Sequence, residues 1–184
     1  KQETDCMNSE NFYDCIAEQY DTYFQDEDSK SQDNRILQHL LRFKDKRILD
    51  IGCGTGLLLE IMELSTNQYL GIDPSKGMLN IMNAKFPNHE TMVCGFERYG
   101  FRRSHTAFIS LFGSMNYVNP DYFNSQLKFI EDDYYFMFYG DEYSPVTYDR
   151  AGMSSSHFNI KEFNLEDGYK YVEENYLIFT SLKL

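Results

Sequence analysis

A glycine-rich turn directly after a short apolar run limits the folds open to this chain more than any other segment. The run Arg47–Gly52 has the composition of a buried strand, and the residues from Gly56 to Leu64 have helical periodicity. Glycine is needed where the backbone takes a positive φ or where a ligand lies directly against the chain. The segment therefore predicts a parallel sheet with a ligand-binding turn at the end of one strand.

The rest of the chain continues this alternation of short apolar runs and helical periodicity. The predicted parallel strands are 47–52, 69–73, 90–95, 107–112 and 134–140. The predicted helices are 10–24, a second from Ser31 or Asp33 to 43, 56–64, 75–85 with Ser75 as its cap, and 120–130. Two final strands, 157–163 and 169–184, are expected to be antiparallel because no helix separates them. The expected fold class is α/β, with a doubly wound, mostly parallel seven-stranded sheet, an antiparallel C-terminal strand and helices on both faces.

The charge balance limits the partners that this chain can bind. It has 29 acidic and 17 basic residues, so its formal net charge is −12. Such a surface repels phosphate backbones and anionic lipid, and the longest basic run is Arg102-Arg103. A membrane span would need an apolar run of about 18 residues, and none is present. We therefore expect a small neutral or cationic molecule as partner, with no nucleic acid and no membrane.

The cysteines favour a reducing compartment. Cys6, Cys15, Cys53 and Cys94 form no C-x-x-C pair and no metal-finger spacing, so we expect free thiols, no metal site and a cytoplasmic protein. The sequence starts at Lys1 rather than Met, from which we expect a trimmed or processed chain. The lack of a signal peptide is then only weak support for that location.

Two cofactor classes use a glycine-rich turn of this kind, and its spacing distinguishes them. Dinucleotide sites have G-x-G-x-x-G without an acid near the pyrophosphate, whereas this chain has G-x-G-x-G with Asp50 two residues before Gly52. A carboxylate there disfavours a pyrophosphate and suits the cationic methionine end of S-adenosylmethionine (SAM). Twenty-one residues after Gly52, Asp73 ends the next strand, where it can accept hydrogen bonds from both hydroxyls of a ribose.

The motifs around this turn resemble those of a known family. LDIGCGTG, the GIDPS that follows and the helix beginning with Met78 look like the first and second motifs of class I, Rossmann-like SAM-dependent methyltransferases of the small-molecule type. The resemblance is strong over 48–84 and recognisable over 11–118. It implies SAM as cofactor and S-adenosylhomocysteine as product. The cofactor-binding residues that it implies are Tyr13, Tyr20, Asp50, Gly52, Cys53, Gly54, Gly56, Asp73, Pro74, Ser75, Met78, Gly95, Phe96, Glu97, Leu111 and Phe112.

Within this set, the resemblance implies different roles. Backbone atoms of the glycine turn would line the methionine and ribose, and Asp50 would reach the methionine amino group. Asp73 would bind the ribose hydroxyls, while Pro74, Ser75 and Met78 would pack around the adenine.

The third and fourth motifs depart from the family pattern. Residues 94–97 read Cys-Gly-Phe-Glu where the family commonly has Gly-Asp-Ala-Glu, so the Asp that meets the adenine amino group is absent. Phe96 offers its backbone N–H and a flat ring face instead, or is a core residue on a turn. His105-Thr106 stands where the family has Phe-Asp, and the strand 107–112 lacks the Asp/Asn-Pro-Pro-Tyr-like signature of nucleic-acid amine methyltransferases.

The N-terminal segment 12–24 resembles the lid helix that many small-molecule members fold over SAM. Phe12, Ile16 and Tyr20 fall on one helical face, with Tyr13 beside them, and the polar stretch 26–30 (DEDSK) would be a hinge. The alternative is an ordinary amphipathic helix with aromatic packing.

Methyl transfer from a sulfonium depends on alignment and desolvation more than on acid–base help. The candidate catalytic residues are His157, whose imidazole titrates near neutrality, and Tyr20 on the lid; the alternative for His157 is a loop histidine without a role. The residues expected to face the acceptor are Ser114, Asn116, Tyr117, Tyr143, Tyr148 and Asp149.

These features lead to one principal hypothesis. It is methyl transfer by in-line displacement to an O or N atom of a small molecule, within one domain over 1–184. We assign 10–43 to lid or cap helices, 44–140 to the cofactor-binding core, and 141–184 to an acceptor-side loop and the final strands. The main alternative is a SAM-binding protein without methyl transfer, which the altered third and fourth motifs favour. A nicotinamide-dependent oxidoreductase and an aminocarboxypropyl transferase of the same fold remain open.

Overall fold

The computed structural model describes residues 6–102, 104–143 and 154–184. Its strands are β1 (Cys6–Met7), β2 (Ile48–Ile51), β3 (Tyr69–Asp73), β4 (Glu90–Val93), β5 (Ala107–Ser110), β6 (Asp133–Tyr139), β7 (Ser154–Ser155), β8 (Tyr169–Glu173) and β9 (Tyr176–Thr180). Its α-helices are α1 (Ser9–Tyr20), α2 (Glu27–Leu40), α3 (Leu57–Ile61), α4 (Lys76–Lys85), α5 (Phe96–Tyr99) and α6 (Pro120–Leu127). None of these helices is long and apolar enough to cross a membrane.

The main sheet has the strand order β4-β3-β2-β5-β6-β9-β8, and β1 pairs with β7 in a separate small ribbon. The first five strands are parallel, β9 is antiparallel to β6, and β8 is antiparallel to β9. From β2 the chain winds outward through β3 to β4, and it then returns to β5 and winds the other way. The predicted doubly wound, mostly parallel sheet of seven strands is confirmed. In such sheets ligands bind where the strand order reverses, at the carboxyl ends of the strands.

Helices cover both faces of the sheet, as predicted. On one face, Leu40 of α2 and Met82 of α4 are buried with Ile48 of β2. On the other face, Phe123 of α6 is buried with Leu49 of β2. Successive residues of β2 thus point into opposite layers, as strand geometry requires. β2 is buried on both faces and is apolar except for Asp50, which is why this strand could be predicted.

The prediction of a strand at 157–163 is wrong. This segment contains the 3₁₀ turn Ile160–Glu162, which starts with a capping box between Asn159 and Glu162. The capping box satisfies backbone groups locally that a strand would pair with a neighbour. The two final strands are β8 and β9, joined by the turn at 174–175, further along the chain than predicted.

The start of the second helix also differs from the prediction. α2 begins at Glu27 because the carboxylate of Asp26 accepts a hydrogen bond from the N–H of Ser29 at 2.8 Å. Acidic residues in the first turn, here Glu27 and Asp28, are stabilised by the positive end of the helix dipole. Residues 26–30 are therefore the cap and first turn of α2, so the predicted helix start at Ser31 or Asp33 is wrong, and the hinge stays a prediction.

Candidate functional site

The glycine turn between β2 and α3 is held against β3 by its backbone. The N–H groups of Gly52 and Cys53 both donate to the carbonyl of Ile72, at 2.8 and 3.1 Å. Gly52 has a φ of 70°, and a Cβ there would lie 2.4 Å from Cβ of Ser114. Gly54 has a φ of 54°, and a Cβ there would meet no atom within 4 Å. Gly52 is therefore required for packing, whereas Gly54 presents bare backbone to an open space.

Asp73, the last residue of β3, is fixed beside this turn. Its Oδ2 accepts a hydrogen bond from the N–H of Gly54 at 2.9 Å, and its Oδ1 accepts one from the N–H of Ser75 at 2.8 Å. Asp73 is 8% exposed, and burial raises the pKa of its carboxyl to about 6, although the two N–H groups act to lower it. Each oxygen keeps lone-pair capacity after these contacts. The carboxylate is thus oriented to accept further hydrogen bonds from a ligand.

Asp50 lies deeper in the same site and is 2% exposed. Its Oδ2 accepts a hydrogen bond from the hydroxyl of Tyr69 at 2.8 Å. Burial raises the pKa of this carboxyl to about 7, with a smaller contribution from the charge of Asp73, while the Tyr69 hydroxyl acts to lower it. A cationic group nearby favours the ionised form of such a carboxyl. Asp50 therefore suits an ammonium or sulfonium group of a ligand.

These groups line a cavity of about 690 Å³ at the carboxyl ends of the central strands. Residues of α1, of the start of α2 and of the turn between β8 and β9 contribute its other walls. The volume lies in the range typical of cofactor and small-molecule sites. The predicted cofactor residues that line the cavity are Tyr13, Tyr20, Asp50, Gly52, Cys53, Gly54, Asp73, Pro74, Met78, Leu111 and Phe112.

The other five predicted cofactor residues do not line the cavity. Three of them occupy helix-capping positions, namely Gly56, Ser75 and Gly95. The ring of Phe96 packs in the core, with its centroid 4.7 Å from that of Phe101. The carboxylate of Glu97 accepts a hydrogen bond from the N–H of Asn119 at 2.9 Å. Their contacts with a cofactor stay predictions, and the ring face of Phe96 serves the core, as the alternative interpretation expects.

The two predicted catalytic residues have different surroundings. Tyr20 lines the cavity, and burial raises the pKa of its phenol far above the usual value, so the phenol is neutral. The half-buried ring of His157 has its centroid 5.1 Å from that of Tyr139 and 6.0 Å from that of Tyr117, and both tyrosines line the cavity. His157 thus contacts two tyrosines of the cavity lining and does not itself line the cavity. The catalytic roles stay predictions, and the acceptor residues expected at 148–149 lie outside the described residues.

Asn116 has a structural position rather than the expected one beside the acceptor. It is fully buried, and its side-chain amide donates to the carbonyl of Phe158 at 2.9 Å. Its side-chain oxygen accepts a hydrogen bond from the N–H of Tyr139 at 2.9 Å. Ser114 and Tyr117, from the same stretch, do line the cavity. Asn116 therefore ties the chain around residue 158 to the end of β6.

The thiol in the glycine turn is neutral. Cys53 is buried and free, and burial, together with the charges of Asp50 and Asp73, raises the pKa of its thiol well above the usual value. Among the residues that the structure describes, no group of three or more His, Cys, Asp and Glu side chains could hold a metal ion. The polar chemistry of the site thus rests on its carboxylates and backbone.

Helix α1 is fastened to the site by acidic side chains that sequence reasoning missed. Oδ1 of Asp14 accepts hydrogen bonds from the hydroxyl of Ser75 at 2.6 Å and from the N–H of Gly77 at 2.7 Å. Asp21, which follows α1, accepts one from the hydroxyl of Thr55 at 2.5 Å. These partners lie far along the chain from each acid, so no local sequence pattern reveals them.

The fold and the site together define an open α/β protein with a glycine turn and two buried carboxylates where the strand order reverses. Residues 48–131 match the family described as "Methyltransferase domain". The ubiquinone/menaquinone biosynthesis C-methyltransferase UbiE of Campylobacter jejuni is 37% identical over 92 residues. That alignment covers 46% of this chain and 39% of UbiE, so the chain spans well under half the length of this relative.

Solved structures show the same fold. A SAM-dependent methyltransferase of Thermotoga maritima, described as a possible histamine N-methyltransferase, superposes with a TM-score of 0.61 at 11% identity and covers 93% of this chain and 97% of its own. The S-adenosylhomocysteine complex of DhpI has a TM-score of 0.54 at 14% identity and covers 95% of this chain and 77% of its own. The chain therefore has the fold of these SAM-dependent methyltransferases, and its residues 48–131 match a methyltransferase-domain family.

Proposed function

We propose that this protein transfers the methyl group of SAM to a nitrogen or oxygen atom of a small molecule. The observation that carries the proposal is the Asp73 carboxylate, which the N–H groups of Gly54 and Ser75 hold beside the cavity with capacity left for two ribose hydroxyls. The family match over 48–131 supports the same assignment.

The residues around the cavity fit the two ends of this cofactor. Asp50 would face the methionine ammonium, and the bare backbone at Gly54 would lie against the ribose and methionine. Pro74 and Met78 would pack against the adenine. SAM supplies an electrophilic methyl group on a sulfonium, so the chain has to orient the reactants and exclude water.

The protein groups around the cavity favour an acceptor atom that carries its own lone pair. Burial raises the pKa of the phenols of Tyr20 and Tyr139, so neither is a phenolate base near neutral pH. His157 does not itself line the cavity, and Asp50 is placed for the cofactor. A nitrogen, or an already acidic hydroxyl, needs least help under these conditions, whereas carbon must first be activated. The net charge of −12 supports a neutral or cationic acceptor and disfavours nucleic acid or an anionic membrane surface.

The test is turnover of isotopically methyl-labelled SAM by the full chain with panels of amines, acidic hydroxyl compounds and electron-rich arenes. We expect S-adenosylhomocysteine to form only with an acceptor of the first two panels, and mass spectrometry to locate one added methyl group on N or O. Tight SAM binding without any acceptor-dependent turnover would instead support a SAM-binding protein that transfers no methyl group.

Methyl transfer to carbon is a second candidate function. The similarity to UbiE, a C-methyltransferase, is the observation that favours it. Label found on ring carbon of an arene in the same assay would decide for this candidate and against transfer to N or O.

A further inference from the structure

One end of the cavity is walled by tyrosine rings that belong neither to the glycine turn nor to β3. Tyr139 at the end of β6, Tyr143 after it and Tyr176 at the start of β9 all line the cavity. Their ring centroids are 5.2 to 6.0 Å apart. The pairing of β6 with β9 places Tyr139 directly opposite Tyr176, and the ring of Phe112 lies 5.4 Å from that of Tyr176. We call Tyr139, Tyr143 and Tyr176 the tyrosine wall.

The buried phenols of this wall are neutral. Burial raises the pKa of Tyr139 and Tyr176 well above the usual value, and the phenols around them raise it further. A neutral phenol ring has a partial negative charge on its face because of its π-electron quadrupole. The tyrosine wall therefore places neutral, electron-rich rings and no anionic base along the cavity.

The charged side chains around the cavity are almost all acidic. Among the described residues that line it, the carboxylates are Asp21, Asp26, Asp28, Asp33, Asp50, Glu60, Asp73 and Glu174. Lys30 is the one ammonium group in this described lining, and its Nζ lies 3.3 Å from a carboxylate oxygen of Glu27. Asp21 and Glu60 are paired with Lys85. The remaining excess of carboxylates attracts cations and repels anions.

Of the carboxylates that line the cavity, Glu174 is the closest in sequence to the tyrosine wall, and it already has partners. Glu174 lies in the turn before Tyr176, and it accepts hydrogen bonds from the guanidinium of Arg35 and, at 3.2 Å, from the amide of Gln32. A cation at the tyrosine wall would thus be stabilised by ring faces more than by this carboxylate. Substitution distinguishes the two kinds of binding group. If the rings bind the cation, a Tyr→Phe variant, which loses only the hydroxyl, should still bind it, whereas a Tyr→Leu variant should bind it more weakly.

We propose that the acceptor carries an alkylammonium group and that the ring faces of Tyr139, Tyr143 and Tyr176 bind it. This inference rests on the proposed methyl transfer and adds a feature of the substrate, namely an alkylammonium group that is separate from the N or O atom that takes the methyl group. Carboxylates and phosphate esters are disfavoured by the acidic lining, and neutral alcohols gain nothing from the ring quadrupole. A cation on a desolvated tyrosine face gains enough for about ten-fold tighter binding than a neutral isostere.

The first experiment compares choline with its neutral carbon isostere, dimethylbutanol, on the full chain saturated with S-adenosylhomocysteine. Isothermal titration calorimetry should show choline binding about ten-fold or more tightly than the isostere. Equal affinities, or no choline binding, would overturn the inference. Binding of S-adenosylhomocysteine is measured first and separately. If it fails, the proposed function is wrong; if it succeeds and the probes do not differ, only the inference is wrong.

The second experiment assigns the preference to the ring faces. Tyr176→Phe keeps the ring and should keep the preference for choline, whereas Tyr176→Leu and Tyr143→Leu should each reduce it several-fold. Tyr169→Leu is the matched control, because Tyr169 lies in the same hairpin, is exposed and does not line the cavity. Affinity for S-adenosylhomocysteine reports on folding in each variant. Loss of the preference in Tyr176→Phe would overturn the role of the ring faces, as would its full retention in both leucine variants.

Discussion

Asp50 and Asp73 are buried carboxylates near the ends of two adjacent strands, and burial raises the pKa of both. Asp73 receives two backbone N–H groups, and Asp50 receives the Tyr69 hydroxyl. Neither carboxylate has a cation among these partners. The ligand is expected to supply the groups that stabilise the two buried negative charges, namely ribose hydroxyls for Asp73 and a cationic group for Asp50.

Asp73→Ala is expected to weaken binding of S-adenosylhomocysteine about ten-fold or more. The ribose hydroxyls lose a charge-assisted partner worth about 1.5–3 kcal/mol. Calorimetry measures the affinity, and circular dichroism checks that the sheet remains folded. Asp45→Ala, at an exposed carboxylate, is the control and should bind as the wild type does. Unchanged affinity in Asp73→Ala would exclude the ribose role.

Asp50→Asn is expected to raise the melting temperature of the ligand-free protein at pH 8 by about 2 °C or more and to raise it less at pH 5. The carboxyl ionises at its ordinary pKa of 3.8 in the unfolded chain and at about 7 in the folded one. The folded state therefore holds the proton more tightly, and stability falls as pH rises between these values. Asparagine removes the buried charge and still accepts the Tyr69 hydrogen bond. Thermal melts at both pH values test this, and an equal shift at pH 5 and pH 8 would contradict it.

At the scale of elements, α1 is connected to the carboxylate that is proposed to bind ribose. Asp14 accepts the Ser75 hydroxyl, while the N–H of Ser75 donates to Asp73. Phe12 and Ile16 of α1 are buried against Met78 of α4. The helix is therefore docked by polar and apolar contacts, and any opening has to break both.

Asp14→Ala is expected to loosen α1 and to weaken binding of S-adenosylhomocysteine several-fold, because Ser75 loses a partner that helps it orient Asp73. Hydrogen exchange should show faster exchange of amides 9–20, and added S-adenosylhomocysteine should slow these amides more than those of α6. Glu18→Ala, at an exposed position of the same helix, is the control and should leave exchange unchanged. If Asp14→Ala exchanges like the control, Asp14 does not fasten the helix.

The elements also show what sequence could predict and why. The turn at Gly52 and the position of Asp73 follow from local requirements, since positive φ and the end of a buried strand each leave a local signature. Tyr176 reaches the cavity through its pairing with Tyr139, a register that no local pattern encodes. The segment 157–163 alternates like a strand, but its capping box decides the local structure. Contacts between distant segments account for most of what sequence reasoning missed.

At the scale of the whole molecule, the net charge of −12 opposes compaction through self-repulsion. Raising sodium chloride from about 0.02 M to about 0.3 M shortens the Debye length and should raise the melting temperature of the ligand-free protein. A neutral osmolyte at equal osmolality is the control for effects unrelated to charge. A melting temperature that is unchanged or lower in salt would show that self-repulsion does not limit stability.

The cavity draws its walls from two stretches of chain that fold into different kinds of strand pairing. Asp50, Gly54 and Asp73 come from the parallel β2–β3 unit, whereas Tyr139 and Tyr176 come from the antiparallel pair β6–β9. Substitutions in the antiparallel pair can change the shape and polarity of one wall without disturbing the glycine turn. Under the proposed function, such a division would let acceptor preference change without altering the residues proposed to bind the cofactor. The β8–β9 hairpin is therefore the segment to exchange in a chimera.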